Sequence, residues 1–312
     1  MIAKLFSRVM APWSYFVTGL VLTILLWIGQ SFFYPTRFWH LEEMVQLTSL
    51  PLSLGIFGIS VFTAYLIDSY LLTNLKYEYE YSLWFPAWAI CYFSMHLYEL
   101  NKDYAWSSLF IAVFMGLWIH FQEKESKMSL LAAGLAVGIS TAFIPLTSIL
   151  ILFGLSALWI WNTNPLRSSF VWILGCLLPS YYLSTFRWIF NKDWPHTSLA
   201  KHSELWLVNL PSYQIPWYLI LVLASAVAGI LLHLLGLNAL SKFHRLLSFQ
   251  WLWLGLFLVT VFVFFDSDPW AFLALFTPWI AWWVNGFLHW REGRWIQDAF
   301  FIVWILLFLW NP

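Results

Sequence analysis

The chain has 312 residues, of which 62% are hydrophobic and only 10% charged, with a mean hydropathy of +0.75; a water-soluble domain of that composition would lack the polar surface to stay dissolved. Its 15 basic and 15 acidic side chains balance, which argues against a nucleic-acid footprint. The composition therefore predicts an all-α, polytopic transmembrane bundle forming a single integral-membrane domain over residues 1–312, with Cys91 and Cys176 packed in apolar spans as small hydrophobes and not bridged.

In chain order, Lys4 and Arg8 precede a first span at 12–34 that carries no small-residue cleavage site, so the N-terminus is expected to be a retained anchor. Residues 35–49 are expected to form an outer loop, with an interfacial helix as one reading, and further spans are expected at 50–72, 82–98 and 104–121. Residues 128–161 form a 34-residue apolar run, too long for one crossing of roughly 20 residues and short for two. Pro145 lies near its middle, where the missing amide donor favours a break, so a hairpin of two short helices is expected. A span at 168–190 leads into a loop at 191–214 with a second interfacial segment, and spans at 215–237, 247–265, 270–290 and 295–310 follow. Pro86, Pro179 and Pro278 are expected to kink their helices. Many of the 24 tryptophans fall near span ends, as an aromatic belt requires: Trp13, Trp84, Trp106, Trp161, Trp188, Trp217, Trp270, Trp290 and Trp310.

Lys and Arg gather on the cytoplasmic side of short loops, and this rule decides how the 34-residue run is crossed. With the N-terminus inside and the run a hairpin, Lys4, Arg8, Lys76, Lys124, Lys127, Arg167, Lys242, Arg245, Arg291 and Arg294 lie inside, against Arg37, Lys102, Arg187, Lys192 and Lys201 outside, a split of ten to five. A single crossing would flip every later loop and give eight to seven. About 11 spans, N-terminus cytoplasmic and C-terminus outside, are therefore expected, in a bacterial inner membrane. The runs at Lys76 to Glu80 and at Gln122 to Lys127 read as solvated charge that fixes orientation.

Under that topology the outer side carries paired acids: Glu42 and Glu43, Glu99 and Asp103, Asp266 and Asp268. His40, His96, His196 and His202 lie near the same side, so a carboxylate and imidazole cluster able to act as a general base or hold a divalent ion is one expectation. The spacing matches no metal motif, and Asp266-Ser-Asp268 before Pro269 also reads as a turn whose acids bond backbone donors. Glu42 and Glu43 share a loop with Arg37, Trp39 and His40, a set suited to gripping a phosphate and a ring; the competing reading is an interfacial helix with Phe38, Leu41 and Met44 toward lipid. Asp68 is an acid inside an apolar span and so a functional candidate. Asn285 and Gln30 are expected to bond across helices, and His120, His233, His244 and His289 to meet lipid phosphates or helix C-termini.

Two stretches, Phe276-Thr-Pro-Trp-Ile-Ala with the turn Trp290-Arg-Glu-Gly-Arg294, and Arg167 through Gly175 to Pro179, resemble an uncharacterised bacterial family of polytopic inner-membrane proteins of about this length. A looser similarity is to the GT-C class of glycosyltransferases, which move a sugar from a polyprenyl-phosphate carrier on the outer face. A first outer loop with acids, the glycine pair Gly134 and Gly138, and a late proline-containing helix carry that likeness. It implies Glu42 or Glu43 as the catalytic acid and a polyprenyl-phosphate carrier as partner; the residues of the outer loops themselves add Arg37, His40, Asp103, Asp266 and Asp268 as candidate substrate contacts. The usual residue in that loop is Asp, and this chain has none there. The reading from the residues themselves is a non-enzymatic subunit or scaffold of an inner-membrane assembly for envelope biogenesis or protein secretion. Its expected partners are membrane lipids and other membrane proteins, and no cofactor is expected. The alternatives are the GT-C-like transferase, and a transporter or lipid-handling protein with Asp68 in a relay.

Overall fold

A computed structural model of the chain describes Ala87, Cys91 and residues 102–189, 217–236, 242–264, 273, 275–288 and 294–310. These fold as eight α-helices and one 3-10 turn: α1 Lys102–Lys124, α2 Lys127–Phe143, the turn Pro145–Ser148, α3 Ile149–Trp161, α4 Pro165–Ile189, α5 Trp217–Gly236, α6 Lys242–Phe264, α7 Thr277–Leu288 and α8 Arg294–Trp310. Among the described residues there is no strand. Among the described residues one helix, α5, is long and apolar enough to cross a membrane by length and composition.

The chain divides into two compact units. One takes Tyr98–Tyr213 and Gly236–Trp279; the other takes Met1–Leu97, Gln214–Leu235 and Ile280–Pro312.

In the first of these, α1 ends at Glu125, whose backbone adopts φ 51°, the left-handed value that closes a helix C-terminus. Its N–H donates to the Phe121 carbonyl at 2.7 Å, and Ser126 then caps α2 by accepting from the Ser129 N–H. This tight reversal lays α2 antiparallel on α1: the Ser107 and Ser140 hydroxyls meet at 2.6 Å, near the start of one helix and the end of the other, and Phe143 stacks near Trp106 and Phe110.

The apolar run breaks where the proline predicts. Ile144 leaves helical geometry at φ −129°, ψ 103°, the 3-10 turn begins at Pro145, and α3 follows. The chain then reverses again. Gly134 lies against the Trp172 carbonyl and Gly175, and Gly138 against Cys176 and Pro179, so α2 and α4 run parallel. Asn162 donates to Ser168 at 2.9 Å while the Trp172 indole donates to the Ile151 carbonyl at 3.1 Å, so α3 runs antiparallel to α4. The expected hairpin is this α2–turn–α3 reversal.

The α2–α4 contact is close because glycine lines both sides of it. A Cβ built on Gly134 would stand 2.8 Å from the Trp172 oxygen, and one on Gly175 would stand 2.6 Å from the Leu131 oxygen. Small residues let backbones approach where side-chain bulk would hold them apart. Helix α4 continues through Pro179.

In the other unit, α5 turns Leu219, Val222, Ser225, Ala226 and Gly229 inward, a 3.6-residue stripe. Gly229 packs on the Trp283 backbone of α7, and His233 meets the Trp283 ring edge-on at 5.7 Å. Phe287 of α7 and Phe300 of α8 pack at 6.2 Å.

Candidate functional site

The densest constellation of described side chains is the interior of α1, α3, α4 and α6. Phe114 and Trp118 on α1 sit one helical turn apart, Phe153 comes from α3, Trp172 from α4 and Trp251 from α6, and all five are fully buried. Trp118 and Trp172 cross edge to face at 5.4 Å, Phe114 meets Trp172 at 5.9 Å, and Phe153 lies nearly parallel to Trp251 at 6.4 Å. Such offset and T-shaped pairs add about 0.5–1.5 kcal/mol each beyond area burial. Gly154 makes the cluster possible, because a Cβ there would overlap the Trp172 indole.

Indole N–H groups are donors only, so each tryptophan taken into this interior needs an acceptor. The Trp118 N–H donates to Gln250 Oε1 at 2.9 Å, Trp253 to the Ser156 hydroxyl at 2.9 Å, and Trp279 to the Trp251 carbonyl at 2.9 Å. The first bond fixes the Gln250 amide: because Trp118 only donates, the atom facing it is the oxygen. That leaves Gln250 Nε2 buried with no hydrogen-bond partner. The side chain is completely inaccessible, and an unmet buried donor costs roughly 1–3 kcal/mol.

Among the described residues the tryptophans thus fall into two groups. Trp106 is half-buried, Trp161 is half-buried and Trp217 is exposed, which suits a belt, but Trp118, Trp172, Trp251, Trp283 and Trp304 are core. The helical positions flanking them explain the difference, since each lies on the inward stripe of its own helix. Two of the histidines are placed: His244 is buried, because α6 turns 244, 247, 248 and 251 inward, and His233 lies in the last turn of α5, the helix C-terminus that was one of the two expectations, where it packs on a ring. Asn285 Oδ1 is buried without an acceptor bond. Cys91 and Cys176 are both buried free thiols.

Of the residues singled out for chemistry, Arg37, His40, Glu42, Glu43, Asp68, Asp266 and Asp268 lie outside the described residues, as do the loops 35–49 and 191–214. Asp103 lies in the first turn of α1. Among the described residues no group of three or more His, Cys, Asp or Glu is placed to hold a metal ion. The glycine pair Gly134 and Gly138 packs against α4, which is the work of helix association. Nothing in the sequence around Gln250 names its partner; its significance comes from Trp118, 132 positions away.

In comparisons with protein-family models, curated proteins and solved structures, nothing matches this chain.

Proposed function

We propose that the protein is a multi-pass bacterial inner-membrane protein of about 11 spans, N-terminus inside, that serves as a non-enzymatic scaffold or subunit of a membrane assembly for envelope biogenesis or secretion. The observation that carries this reading is the outward face of its helices. Along α4 the exposed apolar side chains include Leu166, Phe170, Ile173, Leu174, Leu177 and Tyr181, positions that share one side of a helix; along α5 they include Ile220, Val227, Leu231 and Leu234. The inward sides hold Ser168, Ser169, Ser225 and, on α6, Ser248 and Gln250. A water-soluble helix presents the opposite arrangement, and continuous exposed apolar stripes of this kind are the mark of lipid or protein contact.

Support for a scaffold role comes from where polar bonds are used. Ser107 to Ser140, Trp118 to Gln250, Trp172 to Ile151, Trp253 to Ser156 and Trp279 to Trp251 each join one helix to another, as interhelical bonds do in lipid. These five bonds hold helices together, while Ser225 and Ser248 bond carbonyls of their own helices.

Alkaline carbonate extraction followed by affinity purification in mild detergent tests the proposal. The chain is expected to stay in the membrane pellet and then to elute with stoichiometric partner proteins. Release into the carbonate supernatant would sink the membrane reading, and elution as a single species would sink the scaffold reading while leaving the first intact.

A further inference from the structure

The helix directions bring dispersed basic residues to one depth. Helix α6 runs antiparallel to α3, since Trp253 meets Ser156 and Phe257 meets Phe153, so it runs parallel to α4 and α2. The N-terminal ends of α2, α4 and α6 and the C-terminal ends of α1 and α3 therefore share one end of this unit. The levels are set by a common layer: Trp118 touches Trp172 and bonds Gln250, and both Gly134 and Gly154 abut Trp172.

Counted from that layer, Lys124 is six residues from Trp118, Lys127 seven from Gly134, Arg167 five from Trp172, and Lys242 and Arg245 eight and five from Gln250. At the helical rise of 1.5 Å per residue all five fall about 7–12 Å from the layer, on the same side of it. All five are exposed. An independent marker lies at the same depth: Trp159, five residues from Gly154, is 58% exposed, and the exposed apolar side chains of Met128 and Leu166 adjoin the basic ones in sequence. Among the described residues, Glu123 at the end of α1 and Glu125 in the α1–α2 turn are the acids of this end, so the basic side chains there outnumber them.

We infer that this end is a binding surface for anionic phospholipid headgroups, with the five cationic side chains meeting lipid phosphates and Trp159 seated at the boundary between headgroup and acyl chain. The inference rests on the membrane reading above. Ammonium and guanidinium groups at a common depth beside an exposed indole match the chemistry of that boundary, where an amphipathic ring keeps its body in lipid and its N–H in water. Long basic side chains also reach outward from helix ends toward phosphate while their stems stay on apolar surface.

The test reconstitutes the full-length protein in phosphatidylcholine vesicles and measures, by electron spin resonance, the association of spin-labelled phosphatidylglycerol against spin-labelled phosphatidylcholine. At low salt the anionic lipid is expected to be preferred by about fivefold, the factor one basic side chain near an anionic surface contributes. That preference should fall steeply in about 1 M salt, where screening shortens to about 3 Å, and in the variant K124Q/K127Q/R167Q/K242Q/R245Q. Equal association of the two lipids, a preference that survives high salt, or one that the fivefold variant keeps would each overturn the inference. If the variant fails to fold, the salt titration of the natural protein still decides. Failure to stay in carbonate-washed membranes would instead overturn the membrane reading on which it stands.

Discussion

At the scale of single residues, the Trp118–Gln250 bond is the sharpest test of the interior. Both groups are fully buried, and the amide has one end paired and the other unmet. Trp118→Phe removes the donor and leaves the whole amide unpaired, so a loss of about 1–3 kcal/mol is expected. Gln250→Leu orphans the indole N–H but also deletes the unmet Nε2, so it should cost less. The double substitution leaves neither group stranded and should recover part of the loss. Thermal unfolding of the four proteins in detergent gives the coupling, expected near 1 kcal/mol, in the range for interhelical bonds in membranes; strict additivity would mean the bond contributes nothing. The acids Glu42, Glu43 and Asp68 belong to this scale too, and what they do depends on convergence that residue type alone does not reveal.

At the scale of elements, glycine placement governs how α2 and α4 approach. A methyl at Gly138 would overlap the Cys176 oxygen and the Pro179 ring, whereas Gly236 at the end of α5 has open space around it. Gly138→Ala is expected to lower stability by about 1–3 kcal/mol, the usual cost of forcing extra bulk into a packed contact. Gly236→Ala should be neutral or slightly stabilising, because alanine is the better helix former. Chemical denaturation in detergent separates them, and a neutral Gly138→Ala would mean that the two helices are free to move apart. The break between α2 and α3 was legible in advance because Pro145 acts on its own neighbours. The partner of Gly134 was not, since a glycine in a helix announces close approach without naming what approaches.

At the scale of the whole molecule, the directions of α1 and α3 against those of α2, α4 and α6 determine on which side of a bilayer each turn would lie. With the basic end cytoplasmic, a cysteine introduced at Thr163, which is exposed in the turn between α3 and α4, should react with a membrane-impermeant maleimide only after cells are permeabilised. Labelling in intact cells would reverse the orientation. The natural thiols at Cys91 and Cys176 are buried and provide a low background. The amino-acid sequence by itself determined that the chain is helical and apolar and where its long run breaks, because propensity, proline geometry and hydropathy act over a few neighbouring positions. Only the tertiary structure decided which tryptophans form a core and which an edge, that Gln250 serves Trp118, and that Lys124, Lys127, Arg167, Lys242 and Arg245 reach one depth. Those outcomes depend on how far each helix slides along its neighbours, a register set by ring packing around Trp172 and by glycine contacts between residues distant in the chain.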